Sequence, residues 1–149
     1  MSATLAPETR DALDRLDIGA RPLAIVDVDE VVLRFVPHLE AFIGRQGYRL
    51  EVASFGITGN VTRLGSCRAV PGPEVAALIA GFFAAHVGDQ DPVDGAVAAL
   101  TRLSSRLDVV LLSNVPAEHG ARRADRLADL GLGHPLVVND GPKGPAVAH

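Results

Sequence analysis

The run Leu23-Ala24-Ile25-Val26-Asp27-Val28-Asp29-Glu30-Val31-Val32 constrains the fold more than any other stretch. Four consecutive apolar residues, two of them β-branched, read as a strand buried on both faces, the pattern of a parallel sheet. A carboxylate inside such a strand is costly unless it is paired or metal-bound. Asp27 and Asp29 therefore mark the carboxyl end of the strand, where open α/β sheets place their ligands. Residues i and i+2 of an extended segment point to one side. Both carboxylates can then face one small volume, to share a cation or to divide acid and base roles. The spacing alone reads equally well as polar residues that end a strand or cap a turn.

The rest of the chain alternates helical and strand patterns. Residues 7–17 carry Pro7 at a helix start, with Glu8 and Asp11 complementing the helix dipole. Leu39, Phe42 and Ile43 share a helical face after Pro37. Residues 48–70 change character. Tyr48, Leu50 and Val52 alternate with polar residues, and Gly56, Gly59-Asn60 and Gly65 punctuate them, so short strands with turns are expected. Residues 73–87 predict an apolar helix, and 93–107 an amphipathic one with Val97, Leu100 and Leu103 in register. Val109–Leu112 form a second apolar run ending in Ser113-Asn114. Residues 117–130 predict an Arg- and Ala-rich helix. Pro135-Leu136-Val137-Val138-Asn139-Asp140 predicts a third strand, followed by a Gly- and Pro-rich turn bearing Lys143. Strands alternating with helices predict βαβ units, and hence an α/β fold with a Rossmann-like parallel sheet.

Bulk properties narrow the function classes. A chain of 149 residues is long enough for one core and a small insertion. A net charge of −4 without a basic tract argues against nucleic-acid binding. The single cysteine, Cys67, forms no internal disulfide and lies near no obvious base, so it reads as an ordinary thiol. No apolar run reaches bilayer length, and the acidic amino terminus does not resemble a signal peptide, so a cytoplasmic protein without a membrane segment is expected. His86, His119 and His134 show no ligand-like spacing and read as surface or helix-end residues, while His38, near a helix start, reads as solvent-facing or as lining a site mouth.

Three predicted strands deliver polar groups at their carboxyl ends: Asp27 and Asp29, then Ser113 and Asn114, then the loop with Lys143. In a parallel sheet these ends share one edge. A phosphate there would meet the Ser113 hydroxyl and backbone N–H groups, with Asn114 beside it, while Lys143 would neutralise charge on nucleophile and phosphoryl group. Each group alone is weak evidence; their order along the chain carries the weight.

At this point the chain resembles the haloacid dehalogenase-like hydrolase superfamily from Leu23 onward. Leu-Ala-Ile-Val-Asp-Val-Asp-Glu-Val is similar to its first motif, Val-Val-Leu-Leu-Ser-Asn to its second and Gly-Pro-Lys-Gly to its third. The resemblance implies Asp27 as nucleophile, Asp29 as acid/base, Ser113 as phosphate ligand and Lys143 as the stabilising cation. It implies Mg²⁺ held by Asp27 and Asp29, and a small phosphorylated substrate hydrolysed through an aspartyl-phosphate. It also implies a core of residues 1–36 and 92–149, with a small cap at 37–91. The paired aspartates favour the phosphatase branch. One motif has no counterpart: an acidic pair on a further strand would follow the helix that Val147 and Ala148 begin, and Asp140 precedes Lys143 and does not match it. Weak Mg²⁺ binding, through the Asp27 carboxylate and the Asp29 backbone carbonyl, is therefore expected of a fragment or an inactive relative. Apolar surface left by a missing strand would favour association. The alternatives are a non-catalytic relative that binds a phosphorylated ligand or a protein, and a receiver-like phosphoacceptor domain. The long interval between Asp29 and Ser113 disfavours the latter.

Overall fold

The computed structural model describes residues 5–54 and 56–149. Residues 1–4, part of the amino terminus read above, and Phe55, inside the 48–70 stretch, lie outside them. The chain divides into two compact units, residues 35–87 and the remainder.

The first unit is α/β. Strands β1 (Leu23–Asp27), β4 (Asp108–Ser113) and β5 (Leu136–Val138) form a parallel sheet in the order β1-β4-β5. Leu23 pairs with Asp108 and Asp27 with Leu112, and Ser113 pairs with Val138, so the carboxyl ends of all three strands lie at one edge. The central strand is the most apolar because both its faces are covered. Val109 and Leu111 pack with Leu100 of helix α4 (Ala96–Ser104) and Leu127 of helix α5 (Gly120–Asp129). Val110 and Leu112 face the other way, against Leu13 of helix α1 (Pro7–Asp14) and Ala146 of the short helix α6 (Gly144–Ala148). Val28, Val32 and Leu33, just past β1, are also part of the first of these clusters. At the edge strand β5, the Thr9 hydroxyl donates to the Val138 carbonyl at 3.1 Å, satisfying a group the sheet leaves open.

The helices are shorter than their sequence patterns. The 93–107 pattern yields only Ala96–Ser104, entered through Gly95 at φ 80°. The 117–130 pattern splits into a 3-10 turn, Ala117–His119, and α5.

The second unit contains helix α2 (Val36–Gly44), an antiparallel pair β2 (Tyr48–Leu50) and β3 (Val61–Arg63), and helix α3 (Gly72–His86). The expected short strands in 48–70 are therefore present. Phe35 meets Phe82 edge-on at 5.3 Å, and Phe82 also meets Phe42 edge-on and Phe83 at a tilt, so the apolar helix is a packing element. Glu74 accepts hydrogen bonds from the Tyr48 hydroxyl and from Arg63, whose guanidinium lies 5.2 Å from the Tyr48 ring centroid. The bond to the Glu74 carboxylate holds the Tyr48 phenol above its ordinary pKa, and Arg63 opposes this in part. The resemblance implied residues 88–91 in the cap and 35–36 in the core; residues 88–91 belong with the first unit and 35–36 with the second. Arg34 N–H donates to the Asp91 carbonyl at 2.8 Å, and Gln90 is fully buried there. No helix among the described residues is long and apolar enough to cross a membrane.

Candidate functional site

The first motif is shaped by one tight turn. The Val28 carbonyl accepts from Val32 N–H at 2.8 Å and from Leu33 N–H at 2.9 Å. The turn closes because Val28, Val32 and Leu33 are all buried, while Val31 faces out at 47% exposure. Glu30 adopts φ 61°, the left-handed region that a side-chain-bearing residue enters at a cost. The strand thus ends abruptly after Asp27, and Asp29 is directed by the turn.

Asp27 Oδ1 accepts from the Val28 N–H at 2.7 Å and from Lys143 Nζ, across 116 residues of sequence. No hydrogen bond from a described residue reaches Asp27 Oδ2. The carboxylate is held by one oxygen and presents the other, with the side chain 44% exposed. Lys143 reaches it because its loop is clamped. The Gly141 carbonyl accepts from Asn114 Nδ2 at 2.7 Å and from Asn139 Nδ2 at 2.8 Å, and Asn139 Nδ2 also donates to Asn114 Oδ1. Gly141 sits at φ 86°, which favours glycine at this position. Asn114, expected beside a phosphate, thus has its carboxamide engaged in holding the Lys143 loop.

Asp29 has different partners. Its Oδ1 accepts from Arg123 Nη1 at 2.9 Å and its Oδ2 from the Ser113 hydroxyl at 3.2 Å. Arg123 is fully buried, and its Nη2 donates to Gln90 Oε1 at 2.8 Å. Gln90 in turn donates to the Arg34 carbonyl at 3.0 Å and accepts from Arg126 Nε through its own carbonyl. Ser113 is also fully buried, and its oxygen accepts from Val115 N–H at 3.3 Å. The hydroxyl expected to face a phosphate therefore gives its one proton to Asp29 in this state.

Of the five site residues expected from sequence, four form two contacting pairs beyond the carboxyl ends of the sheet's strands: Asp27 with Lys143, and Asp29 with Ser113. Arg123 and Gln90 escaped the sequence reading. Arg123 lies in an Arg-rich helix, but it precedes Leu127 by four residues and Leu130 by seven, which places it on the apolar face.

Among the described residues, no group of three or more His, Cys, Asp or Glu side chains could hold a metal ion. Asp27 Oδ2 is the carboxylate oxygen of the two aspartates that no described residue engages. No protein-family model matches the chain, and no curated protein matches it.

Proposed function

We propose that the chain is a haloacid dehalogenase-like hydrolase whose chemistry is Mg²⁺-dependent hydrolysis of a small phosphomonoester. The observation that carries this reading is the Asp27 carboxylate, gripped at Oδ1 by Lys143 and a backbone N–H with Oδ2 bare. In this reading Oδ2 attacks phosphorus, an O–P bond forms to Asp27, and the ester O–P bond breaks. The leaving alkoxide takes a proton from Asp29 in its acid form. Water then attacks the aspartyl-phosphate, giving its proton back to Asp29 and releasing phosphate. Lys143 offsets negative charge on the nucleophile and the transferring group, while the Ser113 hydroxyl orients a phosphoryl oxygen. Mg²⁺, when bound, would screen the repulsion between two anions. The inserted unit would serve as the cap that selects the substrate, and the compartment would be the cytoplasm.

The test is turnover of an aryl phosphate with and without Mg²⁺. Asp27→Asn should reduce it to background with the circular dichroism spectrum unchanged; undiminished turnover would remove Asp27 from the nucleophile role.

One observation favours a second reading, a phosphate-binding relative without turnover. Both Asp29 oxygens are engaged, one by a buried guanidinium. With both oxygens held as acceptors, neither is turned toward a leaving group in this arrangement. That reading expects phosphate to bind while the unaltered protein hydrolyses nothing.

A further inference from the structure

The loop that carries Lys143 opens with Asp140-Gly141, one of two Asp-Gly steps in the chain; the other is Asp94-Gly95. Glycine has no side chain, so its main-chain nitrogen can approach the carboxyl carbon of the preceding aspartate with little hindrance. Their union closes a five-membered ring. At Asp140-Gly141 nothing opposes that closure. Both residues are exposed. A Cβ placed on Gly141 would meet no atom within 4 Å, so the ring has room. No described residue bonds to the Asp140 carboxylate, and none accepts from the Gly141 N–H. Asp94 differs. Its carboxylate pairs with Arg34 Nη2 at 2.9 Å, and that pair has to break before a ring can form.

We propose that Asp140 is a site of spontaneous modification, at which the Asp140-Gly141 link converts to an isoaspartyl link and frees Lys143 from Asp27. The Gly141 nitrogen attacks Asp140 Cγ. A C–N bond forms, the Cγ–OH bond breaks, and the hydroxyl leaves with the amide proton as water. Water then opens the ring. Attack at Cγ restores aspartate. Attack at the Asp140 main-chain carbonyl carbon breaks its bond to the Gly141 nitrogen and leaves the chain running through Cγ. Water is the only co-reactant.

The effect on Lys143 follows from how its loop is held. The product has one more carbon in its main chain, a lengthening of about 1.5 Å. The Gly141 carbonyl accepts from Asn114 Nδ2 at 2.7 Å and from Asn139 Nδ2 at 2.8 Å. Hydrogen bonds of that length do not survive such a displacement. Lys143, two residues further on, reaches Asp27 from that clamped loop. This chemistry does not depend on the phosphoryl-transfer reading, and neither do its readouts.

The experiment ages the full chain at neutral pH. Peptide mapping with electron-transfer fragmentation measures isoaspartate at both Asp-Gly steps. Lys143 is the only lysine in the chain, so lysine labelled with carbon-13 at Cε gives a single NMR signal beside Asp27. Asp140 should convert at least about threefold faster than Asp94, the factor that an exposed ion pair supplies. A second lysine signal should grow in proportion to isoaspartate at Asp140, at the position the signal takes in Asp27→Ala. Asp140→Glu, at an exposed position, should show neither change, because its longer side chain closes a ring far more slowly. No isoaspartate at Asp140, conversion as fast at Asp94, a lysine signal that stays in place in the converted protein, or the same second signal in Asp140→Glu would each overturn the proposal.

Discussion

The Asp29–Arg123 pair predicts an asymmetry that a simple count of contacts would miss. Arg123 has no exposed side-chain surface, whereas the Asp29 side chain is 23% exposed. Removing Asp29 strands a guanidinium where water cannot reach it, with the neutral Gln90 Oε1 still accepting from its Nη2. Removing Arg123 strands a carboxylate that can recruit water and keeps the Ser113 hydroxyl. Breaking a buried pair by deleting one partner costs about 3–5 kcal/mol. Asp29→Ala should fall in that range. Arg123→Met retains most of the packing volume and should cost about 2 kcal/mol, part of it from leaving Gln90 Oε1 without its donor. The double variant should recover at least ~1 kcal/mol relative to Asp29→Ala, because no charge remains buried. For a domain of this size, each kcal/mol moves Tm by about 2–4 °C, so thermal unfolding by circular dichroism separates the three proteins. If Arg123→Met proves the more destabilising single change, or the double variant is the sum of the singles, the buried-charge reasoning is wrong.

Other consequences follow from particular contacts. The chain has one tyrosine and no tryptophan, so absorbance near 295 nm reports Tyr48 alone. Its phenol should titrate above 10.0, and Glu74→Ala should lower that value, since the Glu74 hydrogen bond is the largest cause. Because the folded pKa is raised, the stability this provides is fully present below the unfolded pKa and lost as pH rises through the folded one. Lys143→Ala should reduce turnover of an aryl phosphate by at least about a hundredfold while Lys143→Arg keeps part of it, measured against the Asp27→Asn background. At Glu30, φ 61° predicts that Glu30→Gly raises stability by about 0.5–1 kcal/mol, whereas Glu30→Val lowers it by more than ~1 kcal/mol in urea unfolding. Destabilisation by Glu30→Gly would show that its side-chain contacts outweigh the backbone strain.

Strand β4 was legible because a strand buried on both faces leaves an unbroken apolar run. The run at Leu23–Val26 located β1 but not its burial: β1 is an edge strand with Leu23 and Ile25 exposed, not a strand buried on both faces. The carboxyl ends of these strands were legible because carboxylates and amides interrupt those runs. Helix limits were less so: Gly95 at φ 80° starts α4 three residues inside its pattern, a choice of backbone that apolar spacing does not encode. The burial of Gln90 was hidden in the polar sequence Asp89-Gln90-Asp91-Pro92, since only the fold places Arg123 and the Arg34 carbonyl beside it. Asn114 was correctly placed at the strand end. Its work in holding the Lys143 loop depends on Asn139 and Gly141, which lie far along the chain and carry no local signal.

The engagement of Ser113 constrains any route to catalysis. A serine hydroxyl has one proton to donate. In this structure that proton goes to Asp29 Oδ2. A phosphate that recruits it must take it from Asp29, leaving that oxygen without its donor. The exchange would leave Asp29 Oδ2 facing the leaving oxygen while Arg123 keeps its hold on Oδ1. In the proposed reading, substrate binding therefore has to move one proton donor from Asp29 to the phosphate. Ser113→Ala decides the matter, because it removes that donor from both partners. At a temperature where the variant remains folded, it should raise KM for an aryl phosphate about tenfold, the worth of one hydrogen bond to a charged group. An unchanged KM would mean that the Ser113 hydroxyl stays on Asp29 and takes no part in holding the phosphate.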